Sequence, residues 1–310
     1  MSRSYKIKKN PLISVGIPTY SRPNSLRRVL LEITRQTYTN LEIIVSDNAS
    51  PNADTEDVVR EIMRNDHRVK YFKQLKNNGP VFNFQFVLEQ ASGEYFMWAA
   101  DDDWHDKSFI EVLYQKLLAD ESAVVSFCDF DSRDENGMLI SGYPNFYKIL
   151  KRMCQPSKFV RQVQYFILRE GSAKPHPIYG LIRRKVLHGF SWIDFVDRYG
   201  WNASDVLFVF YLMAQGRLAL SNQKLFGCTV DNLKNYETNR SKWNLSTYSN
   251  FIGQQLKYIF GYLKIANGLV RVALILLLPL KLLEIIYLFA IKPSVNLLKS
   301  YFNKMVDRGF

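Results

Sequence analysis

The chain has 310 residues, of which 47% are hydrophobic and 23% are charged, a composition typical of a globular protein. That composition excludes a disordered tail protein, a collagen-like repeat and a small disulfide scaffold. The length suits one large domain, or a catalytic domain with an appendage. The three cysteines form no CxxC pair, which excludes zinc knuckles and thioredoxin-like motifs and favours a reducing compartment.

Short apolar runs alternate with amphipathic stretches over residues 12–128. Strands are predicted at residues 12–17, 41–46, 69–72, 95–99 and 123–128. Helices are predicted after a cap on Asn24 or Ser25, from Asp54, over residues 81–91 and over residues 107–118. This alternation indicates βαβ units and a mostly parallel sheet.

The later part of the chain has weaker patterns. Residues 177–187 predict a strand that runs into a helix, residues 205–215 an apolar helix ended by Gly216, and residues 218–221 a closing strand. From Phe251 onward the pattern is long, apolar and helical. Residues 137–169 support no assignment.

The charge of the chain is divided between its halves. Residues 1–150 hold 18 Lys and Arg against 21 Asp and Glu, a net charge of −3, and residues 151–310 hold 23 against 8, a net charge of +15. A basic half attracts nucleic acid, anionic lipid or phosphorylated substrates, although a merely solvated basic face is the simpler alternative. The basic N-terminal segment MSRSYKIKKNP has no apolar segment behind it, so no secretory signal is predicted.

Three polar clusters each follow a predicted strand, at residues 19–22, 47–50 and 101–103. Parallel sheets bind ligands beyond the carboxyl ends of their strands. Three adjacent aspartates repel one another unless a cation relieves the repulsion, and their oxygens suit Mg²⁺ or Mn²⁺ bound to a diphosphate. The alternative is an acidic turn that caps the next helix.

The other two clusters could bind a nucleotide. Asp47 could accept a hydrogen bond from a base or ribose, or it could form an Asx turn that enters the next loop. Tyr20 could stack on a base, and Arg22 could pair with a phosphate.

Taken together, residues 11–50 (PLISVGIPTYSRPNSLRRVLLEITRQTYTNLEIIVSDNAS) and 77–104 (NNGPVFNFQFVLEQASGEYFMWAADDDW) strongly resemble the nucleotide-diphospho-sugar domain of family 2 glycosyltransferases. The resemblance covers residues 11–130 well and continues more weakly to about residue 225. It implies an α/β fold of the GT-A type, a Rossmann-like and mostly parallel sheet flanked by helices, here with a C-terminal helical extension.

The resemblance also implies roles for individual residues. Thr19, Tyr20, Arg22 and Asp47, together with Asp101 and Asp102, would bind the nucleotide sugar. Asp101, Asp102 and Asp103 correspond to the DxD element that holds Mg²⁺ or Mn²⁺, in a register that the sequence leaves open. The catalytic base of the family is an Asp, usually preceded by Glu, at the start of a late apolar helix. Asp205 stands there after Ser204, and its alternative role in the first turn of the helix is compatible with that of a base.

The implied reaction is inverting, metal-dependent transfer of a sugar from a nucleotide-diphosphate sugar, with a UDP-sugar favoured, to a hydroxyl of a glycan acceptor. It would serve surface polysaccharide or glycoconjugate biosynthesis. Residues 239–243 lack the Gln of the QxxRW element of processive members, so a non-processive enzyme is predicted. A catalytically inactive nucleotide-sugar-binding scaffold and a nucleotidyltransferase are the alternatives, although the first strand lacks a Gly-rich phosphate loop. No nucleic-acid-binding motif is present.

The expected organisation is a catalytic domain at residues 1–225, with donor binding at about 11–130 and the acceptor side at about 131–225, and a basic, amphipathic, membrane-associating region at residues 226–310. On one continuous helix, seven charged residues fall within about half the circumference: Lys257, Lys264, Arg271, Lys281, Glu284, Lys292 and Lys299. This predicts a helix that lies in the interface of an anionic leaflet with its lysines toward the head groups.

Two other placements of this segment stay open: a helix packed on the catalytic domain, and a membrane span that Pro279 and the charged Lys281 and Glu284 oppose. The favoured placement predicts a peripheral protein on the cytoplasmic face of the membrane and an acceptor linked to a polyprenyl phosphate.

Overall fold

The N-terminal half forms the parallel core of one sheet. The computed structural model describes residues 10–142, 145–169, 172–201, 203–230 and 245–287. The first elements are β1 (Ile13–Thr19), α1 (Pro23–Thr34), β2 (Leu41–Asp47), α2 (Asp54–Met63), β3 (Val69–Lys73), α3 (Pro80–Glu89) and β4 (Tyr95–Trp98). β1 lies between β2 and β4, and these pairings and that of β2 with β3 are all parallel. The predicted βαβ alternation is confirmed, with most ends within two residues.

The start of α1 differs from the prediction. Neither Asn24 nor Ser25 caps the helix: it begins at Pro23, after Arg22, without a side-chain cap. Proline suits the first helical position because its ring fixes φ near the helical value, and its missing N–H would have no partner there.

The second half of the sheet is mixed. Its elements are β5 (Trp104–His105), α4 (Phe109–Leu118), β6 (Ala123–Arg133), β7 (Leu139–Gly142), α5 (Phe146–Lys151), α6 (Lys158–Ile167), β8 (Leu181–Arg183), α7 (Trp192–Tyr199), α8 (Ser204–Gln215) and β9 (Arg217–Thr229). The strand order is β3-β2-β1-β4-β8-β6-β9-β5, and β7 pairs with β6. β8 is antiparallel to both of its neighbours, whereas β6 and β9 are parallel.

The predicted strand and helix over residues 177–187 are found in that order, but they are shorter: β8 covers Leu181–Arg183, and a 3₁₀ helix, Arg184–Leu187, follows it. The first residues of the range belong to a 3₁₀ turn, His176–Tyr179. The predicted end of the closing strand needs correction. β9 continues beyond residue 221 to Thr229, paired along β6. It therefore crosses residue 225, the proposed end of the catalytic unit.

The C-terminal part contains two helices, α9 (Leu245–Ile265) and α10 (Gly268–Ile286). The extended backbone of Asn267 (φ −136°, ψ 166°) separates them, so the prediction of one continuous helix with one charged face is wrong. Tyr258 and Tyr262 of α9 and Leu274 of α10 are buried in the common core, and α9 packs on α7 and α8 while α10 packs on α6.

In the described part of the chain, no helix has the length and apolar character needed to cross a membrane. The segment 239–243, Lys292 and Lys299, which entered the predictions above, lie outside the described residues.

A buried carboxylate holds the amino ends of the central strands together. Glu42 of β2 is 5% exposed and accepts hydrogen bonds from the Ser14 hydroxyl (2.6 Å), from the Ser92 amide and hydroxyl (2.6 and 2.8 Å) and from Lys70 Nζ (2.8 Å). Burial raises the pKa of Glu42, but these donors outweigh that effect and lower it to about 2. The ionised carboxylate is therefore the form that the fold binds.

Replacing Glu42 with Gln is expected to lower the free energy of unfolding by about 3 kcal/mol, because it removes the charge of a buried acceptor and leaves donors from Ser14 and Ser92 unsatisfied. The pKa of Glu42 is depressed in the folded state. Its contribution is therefore complete above its unfolded pKa of 4.5 and is lost as the pH falls from 4.5 toward 2. Urea unfolding at pH 7 and pH 3 checks both statements. The control is Glu61→Gln, which breaks an exposed pair with Arg27 and should change little.

Candidate active site

The three polar clusters meet at the carboxyl ends of β1, β2 and β4. Thr19 ends β1 directly opposite Asp47 at the end of β2, and the Asn48 amide donates to the Thr19 carbonyl at 3.0 Å. The Thr19 hydroxyl donates to Asp101 Oδ2 at 2.6 Å. The expected grouping at one edge of the sheet is therefore what the fold produces.

Asp101 and Asp102 share one cation. Arg22 Nη1 lies 3.3 Å from Asp101 Oδ1 and also pairs with Asp102 Oδ2. Burial raises the pKa of Asp101 to about 6, although the hydrogen bond from Thr19 and the charge of Arg22 oppose the rise. The side chain of Asp102 is 26% exposed against 10% for Asp101, so Asp102 is the more accessible of the two.

Asp103 faces another way. It is 3% exposed, and its Oδ1 accepts from the Thr229 amide at 2.9 Å. Burial raises its pKa to about 8. In the described ranges no three His, Cys, Asp or Glu side chains converge as a metal site would require, so the triplet does not act as three convergent ligands.

Two of the aspartates nevertheless fit a divalent cation. Mg²⁺ commonly takes only one or two carboxylates and completes its shell with water and phosphate oxygens. Asp101 and Asp102 offer hard oxygen donors of that kind, and the guanidinium of Arg22 already places a positive charge between them.

The backbone of the triplet is held from two sides by residues that the sequence analysis did not single out. Arg28 of α1 donates from Nη2 to the Asp102 carbonyl (2.6 Å) and from Nη1 to the Asp103 carbonyl (2.7 Å). Its guanidinium carbon lies 3.5 Å from the centre of the Trp104 ring. The Thr229 hydroxyl, at the end of β9, also donates to the Asp102 carbonyl. These contacts fix the loop that carries the acidic side chains.

Replacing Arg28 with Lys is expected to destabilise the protein by about 2 kcal/mol, because an ammonium cannot reach both carbonyls and cannot stack on Trp104 in the same way. Thermal or urea unfolding measures the change. Arg27 gives a matched control one residue away: it forms a two-bond pair with the exposed Glu61, and Arg27→Lys should be nearly neutral. Equal losses in the two variants would contradict the role of Arg28.

Asp47 and Tyr20 differ in their surroundings. Asp47 is fully buried. Its Oδ1 accepts from the amide and the hydroxyl of Ser50 (2.8 and 2.6 Å), which is the Asx turn, and its Oδ2 accepts from the Tyr71 hydroxyl at 2.8 Å. Tyr20 is 45% exposed, so its ring is available to a ligand. Contact of Asp47 with a base stays a prediction.

Asp205 lies in the first turn of α8 and is partly buried. The residue before the helix, Ala203, has a left-handed backbone (φ 54°), which turns the chain sharply into α8. The Val206 amide donates to Asp205 Oδ1 at 2.8 Å.

The 3₁₀ turn His176–Tyr179 contacts both β4, the strand before the acidic triplet, and α8, the helix that carries Asp205. Burial raises the pKa of Tyr179 well above its usual range, and the charges of Asp103 and Asp205 both add to the rise. The pairing of Asp205 with the metal ligands stays a prediction.

The family model for "Glycosyl transferase family 2" matches residues 14–186, more than half of the chain. The chain belongs to glycosyl transferase family 2. The match includes β1, β2, β4 and the acidic triplet and ends before α8.

Two curated relatives match part of the chain. The GalNAc(5)-diNAcBac-PP-undecaprenol beta-1,3-glucosyltransferase of Campylobacter jejuni is 39% identical over 119 residues, which are 38% of this chain and 38% of that protein. Glycosyltransferase GlyA of Streptococcus pneumoniae is 32% identical over 126 residues, which are 41% of this chain and 18% of that protein. The matches thus span well under half the length of these relatives.

Solved structures share the fold. TarS of Staphylococcus aureus in complex with UDP superposes with a TM-score of 0.57 at 17% identity, over 87% of each chain. The mannosyltransferase PcManGT of Pyrobaculum calidifontis, in complex with GDP-Man and Mn²⁺, gives 0.53 at 17% identity, over 96% of this chain and 81% of that one. The predicted GT-A fold is confirmed.

Proposed function

We propose that this glycosyltransferase moves a sugar from a nucleotide-diphosphate sugar, with a UDP-sugar favoured, to a hydroxyl of a lipid-linked glycan, with inversion at the anomeric carbon. The observation that carries the proposal is the meeting of Thr19 and Arg22 with Asp101 and Asp102 at the carboxyl ends of β1 and β4. Asp205 stands at the start of α8, and α8 packs on the 3₁₀ turn His176–Tyr179, which also contacts β4. In the proposal the triplet serves the diphosphate and Asp205 serves the acceptor.

Asp205 is the general base of the proposed reaction. Its carboxylate accepts the proton of the acceptor hydroxyl as that oxygen forms its bond to the anomeric carbon, while the bond from that carbon to the diphosphate oxygen breaks. The attack comes from the face opposite the leaving group, so the configuration inverts. Charge develops on the sugar ring as in glycoside hydrolysis.

The donor side uses the ends of β1, β2 and β4. Asp101 and Asp102 would hold Mg²⁺ or Mn²⁺, which would offset the negative charge of the departing nucleoside diphosphate. Arg22 would pair with the diphosphate, and Tyr20, which is exposed at the same edge, would stack on the base. The bound UDP of the TarS structure and the GDP-Man and Mn²⁺ of the PcManGT structure support a nucleotide-sugar donor and a metal.

The name of the Campylobacter jejuni relative supports the acceptor class, because it describes transfer to a glycan on undecaprenyl diphosphate. Such an acceptor is anchored in a membrane by its polyprenyl chain, so the enzyme would work as a peripheral protein on the cytoplasmic face. Transfer to such carriers would serve surface polysaccharide or glycoconjugate synthesis by single, non-processive additions.

The test is a donor panel of UDP- and GDP-sugars incubated with the full-length protein and Mn²⁺ or Mg²⁺, with products identified by mass spectrometry. Release of nucleoside diphosphate from one donor, and its loss in EDTA, is the expected result. Binding without turnover, with or without a polyprenyl-linked acceptor, would indicate an inactive scaffold. Formation of a nucleotide sugar and pyrophosphate from UTP and a sugar phosphate would indicate a nucleotidyltransferase.

A further inference from the structure

The outer face of α10 is apolar. Leu269, Leu276 and Leu280 are 78%, 75% and 64% exposed. With 3.6 residues per turn, eight exposed apolar side chains fall within an arc of about 140°: Leu269, Val272, Ile275, Leu276, Leu280, Leu283, Ile286 and Tyr287. Monomeric soluble proteins rarely leave a continuous apolar strip of this length in water.

Lys281 and Glu284 of α10 lie outside this apolar arc. Lys281 is 3% exposed, and its Nζ donates to the Leu168 carbonyl at 3.0 Å and pairs with Glu284 at 2.9 Å. It also lies 5.6 Å from the centre of the Phe166 ring. Lys281 therefore binds the C-terminal end of α6, where a positive charge is favourable, and the predicted placement of this lysine toward lipid head groups is wrong. The helix is therefore apolar on its outer face as well as on the face that buries Val270, Leu274 and Ile285, unlike an ordinary surface helix.

The net charge of α9 and α10 indicates what kind of surface binds this apolar face. Among residues 245–287 the basic residues are Lys257, Lys264, Arg271 and Lys281, and the only acidic residue is Glu284. Lys257, Lys264 and Arg271 are exposed. A two-fold dimer through this face would bring together two surfaces of the same net positive charge. An anionic lipid surface offers both an apolar layer and opposite charge.

We propose that α10 lies in the plane of an anionic bilayer, with its apolar outer face in the boundary between head groups and acyl chains and with Arg271 among the head groups. A helix of this kind sinks roughly 5–10 Å into the membrane without crossing it. This surface contains no residue that the proposed function uses, so membrane binding by α10 is independent of that function. Only the idea that docking brings the active site to a lipid-linked acceptor rests on the function proposed above.

The docked surface is connected to the proposed base. α10 adjoins α9, and α9 packs against α7 and α8. At Gly200, which follows the last residue of α7, an added Cβ would lie 3.0 Å from Gln254 Oε1 and 3.3 Å from Lys257 Cβ. Gly200, five positions before Asp205, therefore lies against α9. Docking through α10 would hold the acceptor side of the site at a fixed height above the lipid that carries the acceptor.

The experiment is flotation of the full-length protein with vesicles of phosphatidylcholine and phosphatidylglycerol. The wild-type protein should co-float, less so on pure phosphatidylcholine, and high salt should weaken the binding only in part. The double variant Leu276→Glu/Leu280→Glu should bind at least about tenfold more weakly, since each leucine loses its burial in the acyl layer. The matched control Leu75→Glu/Met138→Glu changes two side chains that are at least as exposed but lie elsewhere (103% and 69%) and should float like the wild type.

Unchanged flotation of the α10 variant, or no flotation of the wild type, would overturn the proposal. A second contradicting result would be a wild-type dimer, detected by light scattering, that dissociates in the α10 variant while lipid binding is unchanged. Circular dichroism and thermal unfolding show whether the variants are folded. Donor hydrolysis in the absence of lipid separates the two proposals: turnover without flotation overturns the docking alone, and flotation without turnover overturns the function alone.

Discussion

Asp205→Asn should lower sugar transfer by at least about 10²-fold, the lower end of what a positioned general base contributes. Asparagine has nearly the same shape, can still accept the hydrogen bond from the Val206 amide and should preserve the start of α8. It cannot take a proton from the acceptor. Steady-state transfer, measured as sugar added to the acceptor, should therefore fall in kcat, while the Kd of the nucleoside diphosphate stays within about twofold.

The control for this variant is Asp197→Asn, which changes an exposed carboxylate on the neighbouring α7 and should leave transfer unchanged. Transfer near the wild-type rate in Asp205→Asn would place the base elsewhere. A large loss of nucleotide affinity would instead indicate a structural role at the donor site. The pH profile of kcat gives an independent readout. If Asp205 accepts the proton of the acceptor, the acidic limb of the wild-type profile should be absent in Asp205→Asn.

The second large effect concerns the pair of carboxylates that meet Arg22. Asp101→Asn and Asp102→Asn should each weaken the Mn²⁺-dependent part of nucleotide binding by at least about tenfold, because a divalent cation prefers charged oxygen donors. Titration calorimetry with UDP, with and without Mn²⁺, measures the difference. Binding in the absence of metal should change much less, since the remaining contacts are with Arg22 and Tyr20.

Asp103→Asn is the matched comparison, because it changes the adjacent carboxyl group without removing a ligand of the proposed pair. Asp103 is buried against the Thr229 amide, so its replacement should affect the stability of the loop more than the metal dependence. If all three variants retain full metal-dependent binding, or if the wild-type enzyme is fully active in EDTA, the assignment of the metal to Asp101 and Asp102 is wrong.

Local patterns in the sequence predicted the elements that depend on neighbouring residues. The β1–α1–β2–α2 alternation follows from the spacing of apolar residues, and the three polar clusters follow because parallel strands end at one edge of a sheet. Asp54 marked the start of α2 correctly. The fold of the N-terminal half and the grouping of Thr19 with Asp101 could therefore be predicted.

Contacts between distant segments could not be predicted in this way. Arg28 resembles any other basic residue on an exposed helix face, and only the packing of α1 places it on the carbonyls of Asp102 and Asp103. The sequence predicts the wrong orientation for Lys281, because the helical wheel assumes one continuous helix. The break at Asn267 ends α9, and α10 begins with a new axis and a new rotation about it. The length of β9 depended on its partner β6, a strand almost one hundred residues earlier.

The bond between Thr229 and Asp103 joins residues 126 positions apart, which has a consequence for how the enzyme is made. The ribosome completes the acidic loop long before it produces the threonine that fixes it. At about 5–20 residues per second, the loop waits on the order of ten seconds without one of its two supports. During that interval three neighbouring carboxylates repel one another, and only contacts with earlier residues such as Thr19, Arg22 and Arg28 oppose the repulsion. A nascent chain that ends before β9 should therefore lack an ordered donor site, even though it already contains every residue proposed to bind the nucleotide and the metal.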